Sequence, residues 1–421
     1  MKKIVLFLLI ISLVGCSSVP PLEEPQTNET TEPSSTTPVR HLADSQPLLL
    51  SKDYYDYAAD HPTSEELLQS INQFARESGV QLLSGEANDN YSPISLYMAL
   101  AMVATGAKGE TAEEIYQLLG REVDPEALAQ EMQQLNQLLN VQTEGGRIKL
   151  ANSIWSQQDL PFEPTFIKRL NDKFAAALFE VDFSLPETAE EMSNWVSDMT
   201  EGLIKPEFTD LENMISVLIN TLYFKEGWVY PFEEANTKPD IFHGINGDIE
   251  KDFLQQRKEF EYIDHDGIEG VILPFELSRM IILKKSGTNP KTLLEDYSLE
   301  ELTKFKQRAT VNLSLPKFKF DNSYDLIDTL KSLGIHQAFD LGLADFSAMT
   351  PTGSAISQVR QDSFIALDET GVEAAAMTMI GNERAMILED PPIVDLSFDE
   401  PFLFIIESRD SVPLFIGTLT N

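Results

Sequence analysis

Leu367-Asp368-Glu369-Thr370-Gly371-Val372-Glu373-Ala374-Ala375-Ala376-Met377-Thr378 opens as the end of a strand and passes into small residues, too polar and too featureless for a core helix. Alone it reads as a helix start or a loop. Its surroundings are richer. Strand-like runs lie on either side of it, at Ser363 to Leu367 and at Ile393 to Phe398, Phe402 to Glu407 and Pro413 to Thr418. Further strands are expected at Ile148 to Trp155, Ile215 to Phe224, Gly270 to Phe275, Met280 to Leu283 and Ala309 to Leu315. Helical spacing of apolar residues marks Glu65 to Leu83, Pro93 to Ala104, Glu110 to Leu119, Pro125 to Leu139, Pro164 to Ala176, Thr188 to Thr200 and Ser323 to Leu333. Helices fill the first half and strands the second, without regular alternation. That order predicts an α+β fold with antiparallel or mixed sheets rather than a doubly wound parallel one.

The chain has 421 residues, 42% of them apolar, enough for one large core. Acidic residues outnumber basic ones 68 to 31, giving a formal charge of −37. Phosphate backbones would be repelled, so nucleic acid is not expected as a partner, and neither is a polyanionic cofactor. The charge reads first as a solubilising surface, and second as an attraction for a basic partner.

The single cysteine, Cys16, excludes an intrachain disulfide. Lys2 and Lys3 precede an apolar run from Ile4 to Val14, too short to span a bilayer but suited to an export signal. Leu13-Val14-Gly15-Cys16 resembles the lipobox of bacterial lipoproteins. It implies removal of residues 1–15 and lipidation of Cys16, with acyl chains contributing ~0.8 kcal/mol per buried methylene. Residues 16–53, rich in Pro, Thr, Ser and Glu, are expected to be a disordered tether, and 54–421 a single folded domain.

No catalytic signature emerges. His41, His61, His243, His265 and His336 are scattered, and no metal site or cofactor is expected. Gly106-Ala107-Lys108-Gly109-Glu110-Thr111 lacks the order of a phosphate loop and reads as a helix break. Ser314-Leu315-Pro316-Lys317 fits Ser-x-x-Lys but follows a β-rich run, where Ser and Lys would not align. No enzyme is expected.

The opening segment gains meaning from what accompanies it. It resembles the reactive-loop hinge of serpins, and other serpin-like stretches follow in family order. These are Ser92-Pro93-Ile94-Ser95 with Ala101-Met102-Val103-Ala104 and Gly106 to Thr111, then Asn220-Thr221-Leu222-Tyr223-Phe224-Lys225-Glu226-Gly227-Trp228. Leu315-Pro316-Lys317-Phe318-Lys319-Phe320, Leu333-Gly334-Ile335 with Ala338-Phe339, Ala344-Asp345-Phe346-Ser347, and Pro401-Phe402-Leu403-Phe404 with Leu414-Phe415-Ile416-Gly417 complete the set.

The resemblance implies a serpin fold, with an N-terminal helical region, three β-sheets and an exposed reactive-centre loop at about 369–392. It also implies a protease inhibitor: a suicide substrate whose cleaved loop inserts into the large sheet and traps the acyl-enzyme. The residues permit insertion, because a strand alternates between the faces of a sheet. Val372, Ala374, Ala376 and Thr378 form an uncharged face, and Gly371, Glu373, Ala375 and Met377 the other.

By the same resemblance Glu369 to Thr378 form the hinge. Trp228, Lys317 and Glu369 form the breach at the top of the opening, and Ser92, Ser95, Asn220 and Gln361 the shutter where strands part. Gln361 stands where the family often has a histidine, Val372 replaces a commoner threonine and Met377 a commoner alanine. Family spacing from Glu369 puts the reactive bond at Ala385-Met386, with Arg384-Ala385 as the alternative. The targets implied are elastase-, subtilisin- or trypsin-like serine proteases, with papain-like cysteine proteases as a second class. A monomer on the cell envelope, facing the extracellular or periplasmic space and touching the membrane only through its lipid, is expected. The alternatives are a non-inhibitory serpin serving as a binding module and a solute-binding lipoprotein of two αβ lobes.

Overall fold

The computed structural model describes residues 39–43, 54–372 and 391–421, all within one compact unit, Pro38–Asn421. Its strands, in chain order, are β1 (Val39–Ala43), β2 (Asp89–Tyr91), β3 (Val141–Gln142), β4 (Gly146–Gln157), β5 (Ala177–Val181), β6 (Ser216–Gly227), β7 (Lys238–Gly244), β8 (Gly247–His265) and β9 (Ile268–Pro274). They continue with β10 (Ser278–Lys285), β11 (Lys306–Pro316), β12 (Phe318–Asp325), β13 (Gln358–Leu367), β14 (Gly371–Val372), β15 (Ile393–Ser397), β16 (Phe402–Ser408) and β17 (Pro413–Leu419). The helices are α1 (Tyr54–Asp60), α2 (Glu65–Leu82), α3 (Pro93–Ala104), α4 (Gly109–Leu118), α5 (Pro125–Leu139), α6 (Pro164–Arg169), α7 (Pro186–Met199), α8 (Thr292–Asp296), α9 (Leu299–Thr303) and α10 (Ile327–Ser332).

Local signals start several helices. The Ser64 hydroxyl accepts from Leu67 N–H before α2, Asp124 accepts from Glu126 and Ala127 N–H before α5, and Ser298 and Glu301 close a capping box at α9. Every residue of α3 is buried, and it packs against β4 and β6 on one side and β17 on the other. A helix apolar on every side has no solvent face to offer, so it becomes the centre of the core. Helix α7 has one buried stripe. Its Met192 and Val196 join Trp155, Phe179, Val217 and Ile219 in a separate cluster over β4, β5 and β6.

One sheet runs β1-β5-β4-β6-β14-β13-β12, with β3 beside β4, and the other β15-β11-β8-β9-β10-β16-β17-β2, with β7 beside β8. The three sheets expected are thus two hydrogen-bonded ones among the described residues. The reason is β8, whose 19 residues pair in turn with β7, β11 and β9 and carry the ladder through without a break.

Three boundaries depart from expectation. Val39–Ala43 was expected in the tether, yet it forms an edge strand antiparallel to β5, with Val39 and Ala43 buried and Arg40 paired to Glu180 at 3.1 Å. The helix expected from Ser323 begins only at Ile327, because Phe318–Asp325 is recruited into a full ladder with β13. The helix expected over Pro164 to Ala176 holds α-geometry only to Arg169, then a π-helical turn, Leu170–Phe174, ends at Ala175 with φ +47°.

Candidate functional site: the seam of the large sheet

Strands β6 and β13 lie side by side in parallel, but only Gln358–Asp362 pairs with Val217–Thr221. Farther up, β14 enters between them: Val372 pairs with Glu226 of β6 and with Leu367 of β13, and Gly371 with Gly227. It runs antiparallel to both neighbours. Two residues of the stretch from Glu369 to Thr378, Gly371 and Val372, are therefore seated between these strands, and Val372 is buried there.

The turn that brings β14 in is built by Asp368. Its carboxylate accepts from Thr370 N–H at 2.8 Å, Thr370 Oγ1 at 2.6 Å and Gly371 N–H at 3.3 Å, while Asp368 N–H donates to Gly371 O at 3.0 Å. Gly371 has φ +148°, and a Cβ there would collide with the Glu226 carbonyl, so only glycine fits this entry. Trp228 fixes the turn from the other side. Its indole N–H donates to Asp368 O at 3.0 Å, its backbone N–H to Thr370 O at 2.9 Å, and its ring stacks on Phe275 at 4.3 Å.

Glu369 closes the top. Its carboxylate takes Lys317 Nζ at 2.8 and 3.1 Å and Thr237 Oγ1 at 2.8 Å, and its carbonyl accepts from Phe232 N–H at 2.9 Å. Burial pushes against its charge, but the Lys317 and Thr237 hydrogen bonds and the Lys317 charge outweigh burial and hold the carboxyl below its ordinary range. The same hydrogen bond raises Lys317. Lys317 N–H donates to Asp252 O at 2.8 Å, which anchors the ion pair to β8.

Ser92, Ser95, Asn220 and Gln361 come together and are almost wholly buried. Gln361 Oε1 accepts from Ser92 N–H at 2.8 Å, and its amide donates to Ser92 O at 2.9 Å and to Asn220 Oδ1 at 2.8 Å. Ser95 Oγ also donates to Asn220 Oδ1, at 2.9 Å. Glutamine thus ties β13 to β6 and to the start of α3 without a titratable ring. Residues the sequence reading passed over extend the network. Ser363 Oγ donates to Asn90 O at 2.8 Å and bonds its Oδ1 at 3.0 Å, and Asn152 lies opposite Asn220 on β4. Single polar residues inside strands carry no pattern that would have marked them.

Ser314 lies in β11 with Lys317 just beyond its end, and the lysine is committed to Glu369, so the Ser-x-x-Lys match has no catalytic geometry. Glu373 to Thr378, the bonds at Ala385-Met386 and Arg384-Ala385, and Cys16 lie outside the described residues.

The sheet is thus tied at one end by the Gln361 hydrogen bonds and holds β14 between β6 and β13 at the other. The family described as serpin (serine protease inhibitor) matches residues 69–421, and the chain belongs to that family. An uncharacterised serpin-like protein of Thermococcus kodakarensis is 30% identical over 437 aligned positions, covering 100% of this chain and 99% of the relative. Serpin-Z2A of Triticum aestivum is 33% identical, over 79% of this chain and 90% of its own. Among solved structures, the thermophilic serpin tengpin in its native state superimposes with a TM-score of 0.77 at 26% identity, over 85% of this chain and 95% of tengpin. Thyroxine-binding globulin with thyroxine shares the fold at a TM-score of 0.72 and 22% identity, over 83% and 99%. Serpins are in general protease inhibitors rather than enzymes.

Proposed function

We propose that this serpin is inhibitory and acts as a suicide substrate. A serine protease attacks after Ala385, or after Arg384 in the alternative register, and the hinge then fills the seam between β6 and β13 while the acyl-enzyme is carried away and deformed. The observation that supports this best is β14, two residues of the hinge of which both pair with β6 and Val372 pairs with β13 as well. Continuing that strand puts Ala374, Ala376 and Thr378 on the buried face with Val372, a row without charge or bulk. A net ~1 kcal/mol per backbone hydrogen bond over about a dozen residues gives on the order of 10 kcal/mol, comparable to the stability of a whole domain. The intact chain is then held kinetically.

The targets proposed are elastase-, subtilisin- or trypsin-like serine proteases, with papain-like cysteine proteases second. Export and anchoring through a lipidated Cys16 complete the reading, and Cys16→Ala should release the protein from the membrane fraction. The deciding experiment incubates the chain with a panel of those proteases. An SDS-stable complex, a released peptide beginning at Met386 or Ala385, and a large rise in melting temperature of the nicked protein are expected. Clean turnover without a complex, and no gain in heat resistance, would instead favour a non-inhibitory binding module.

A further inference from the structure

Directly beneath the hinge strand lies a carboxyl that the inhibitory cycle does not use. Glu226 is fully buried at the upper end of β6, where its backbone pairs with Val372 on one side and Gly146 on the other. Gly146 makes room for it: a Cβ there would stand 2.6 Å from Glu226 Cγ. One carboxyl oxygen, Oε2, accepts from Leu277 N–H at 2.9 Å, in the turn between β9 and β10. The other, Oε1, is buried beside Ser278, whose hydroxyl and N–H pull toward ionisation without outweighing burial.

The surroundings offer no compensating charge. From the β9–β10 turn Glu276 faces it, committed to Tyr55 Oη at 3.0 Å and Thr143 Oγ1 at 2.9 Å, and its charge opposes ionisation of Glu226. From α1 come Tyr54 and Tyr55, whose hydroxyls burial pushes up to about 12, so they stay neutral. Arg409 and Asp410, from the turn between β16 and β17, act on those tyrosines, and Arg409 stacks over Tyr55 at 5.0 Å. Arg147, next to Gly146 on β4, pairs with Glu201 at 3.1 Å. From β14 comes only Val372.

We propose that Glu226 is a proton-controlled latch of the breach. As a neutral acid it holds the Phe275–Ser278 turn against β6, and when its proton leaves to solvent that corner opens and the hinge enters the seam faster. Burial, with Glu276 adding to it, raises the carboxyl to about 8, against a partial counter-pull from Leu277 N–H and from the Ser278 hydroxyl and N–H. The folded pKa thus lies above the unfolded one. The penalty is absent below about pH 4.5, grows as pH rises, and is complete above about 8. The mechanical link is short: Leu277 follows Phe275 in the same turn, Phe275 stacks on Trp228, and Trp228 holds Asp368 and Thr370.

The first clause of the proposal stands apart from strand insertion; the second rests on the inhibitory reading. With 5-fluorotryptophan in the full chain, 19F spectra show three tryptophans, and the Trp228 resonance is assigned by its loss in Trp228→Phe. That resonance should shift between about pH 7 and 9 in the natural chain, and hold still in Glu226→Gln and in a second neutral variant, Glu226→Met. A flat Trp228 signal in the natural chain, or the same shift in both variants, overturns the latch. Separately, the rate at which intact chain converts to a heat-resistant form should rise roughly tenfold from pH 7 to 9, and stay level in Glu226→Gln. If the Trp228 shift appears but the conversion rate stays flat, the melting temperature of nicked protein separates the two failures. A nicked form that gains heat resistance means the latch does not govern entry, and one that gains none means insertion itself is wrong.

Discussion

Gln361→Ala tests the shutter most directly. The side chain satisfies three buried partners: the N–H and the carbonyl of Ser92, and Asn220 Oδ1. Asn220 Oδ1 keeps Ser95 Oγ after truncation and Ser92 O keeps Leu96 N–H at 3.3 Å, but the Ser92 N–H is left in an interior position with nothing to bond. At about 1–3 kcal/mol for the orphaned N–H, and a further contribution from the cavity, the intact form should lose about 2–4 kcal/mol. An unfolding entropy of ~2.1 cal/mol/K per residue turns this into a melting temperature lower by roughly 2–5 °C for a domain of this size. The same lost bonds tie β13 to β6, so part of the loss lowers the barrier to parting them. A 3 kcal/mol reduction would speed conversion by about a hundredfold. Differential scanning calorimetry on intact protein, with native gels following conversion at fixed temperature, measures both. A variant melting within a degree of the natural chain and converting no faster would refute the reasoning, since the Gln361 bonds would then have been replaced at no cost.

Lys317→Met should cost about 1 kcal/mol at neutral pH after allowing for screening of a lysine side chain that is 34% exposed. In the natural chain the depressed Glu369 contributes stability that is present above about pH 4.5 and is lost as pH falls through its folded pKa. Melting temperatures from pH 6 to 3 should therefore fall less steeply in the variant, and an unchanged slope would rule the pair out as the source. Ala374→Arg places a charge on the face that must be buried. The expected result is efficient cleavage by an elastase- or subtilisin-like protease without a covalent complex, and a stable complex on a denaturing gel would count against insertion along that face.

The parts of the seam that were legible in the sequence are those where several polar or aromatic residues cluster in short stretches. Lys317 bonds Glu369, Trp228 bonds Asp368, and Ser92, Ser95, Asn220 and Gln361 share one set of hydrogen bonds. Gly371 was legible as part of a small-residue run, but the strand it opens gives the reason for it, a backbone angle and a carbonyl that leave no space for a Cβ. Glu226 was not legible as an ionisable site. In a chain with 68 acidic residues one more glutamate has no contrast, and its burial is created by Gly146 and Leu277, distant in sequence. Val39–Ala43 was hidden for a related reason: five residues beside a sequence rich in Pro, Thr, Ser and Glu have too little periodicity, and they pair with β5. At Tyr324 the helical spacing was real, but the β13 ladder outweighed it, as tertiary pairing commonly does over local preference.

Because β1 and β12 are the opposite borders of the large sheet, they make a built-in ruler for its girth. Filling the seam with one more full-length ribbon has to push those borders apart by about one strand spacing, ~4.8 Å, below the level where β14 already sits. A pair of probes, one on exposed Arg40 and one on exposed Asp321, would therefore read each productive cut as a lengthening, in single molecules and without any protease label.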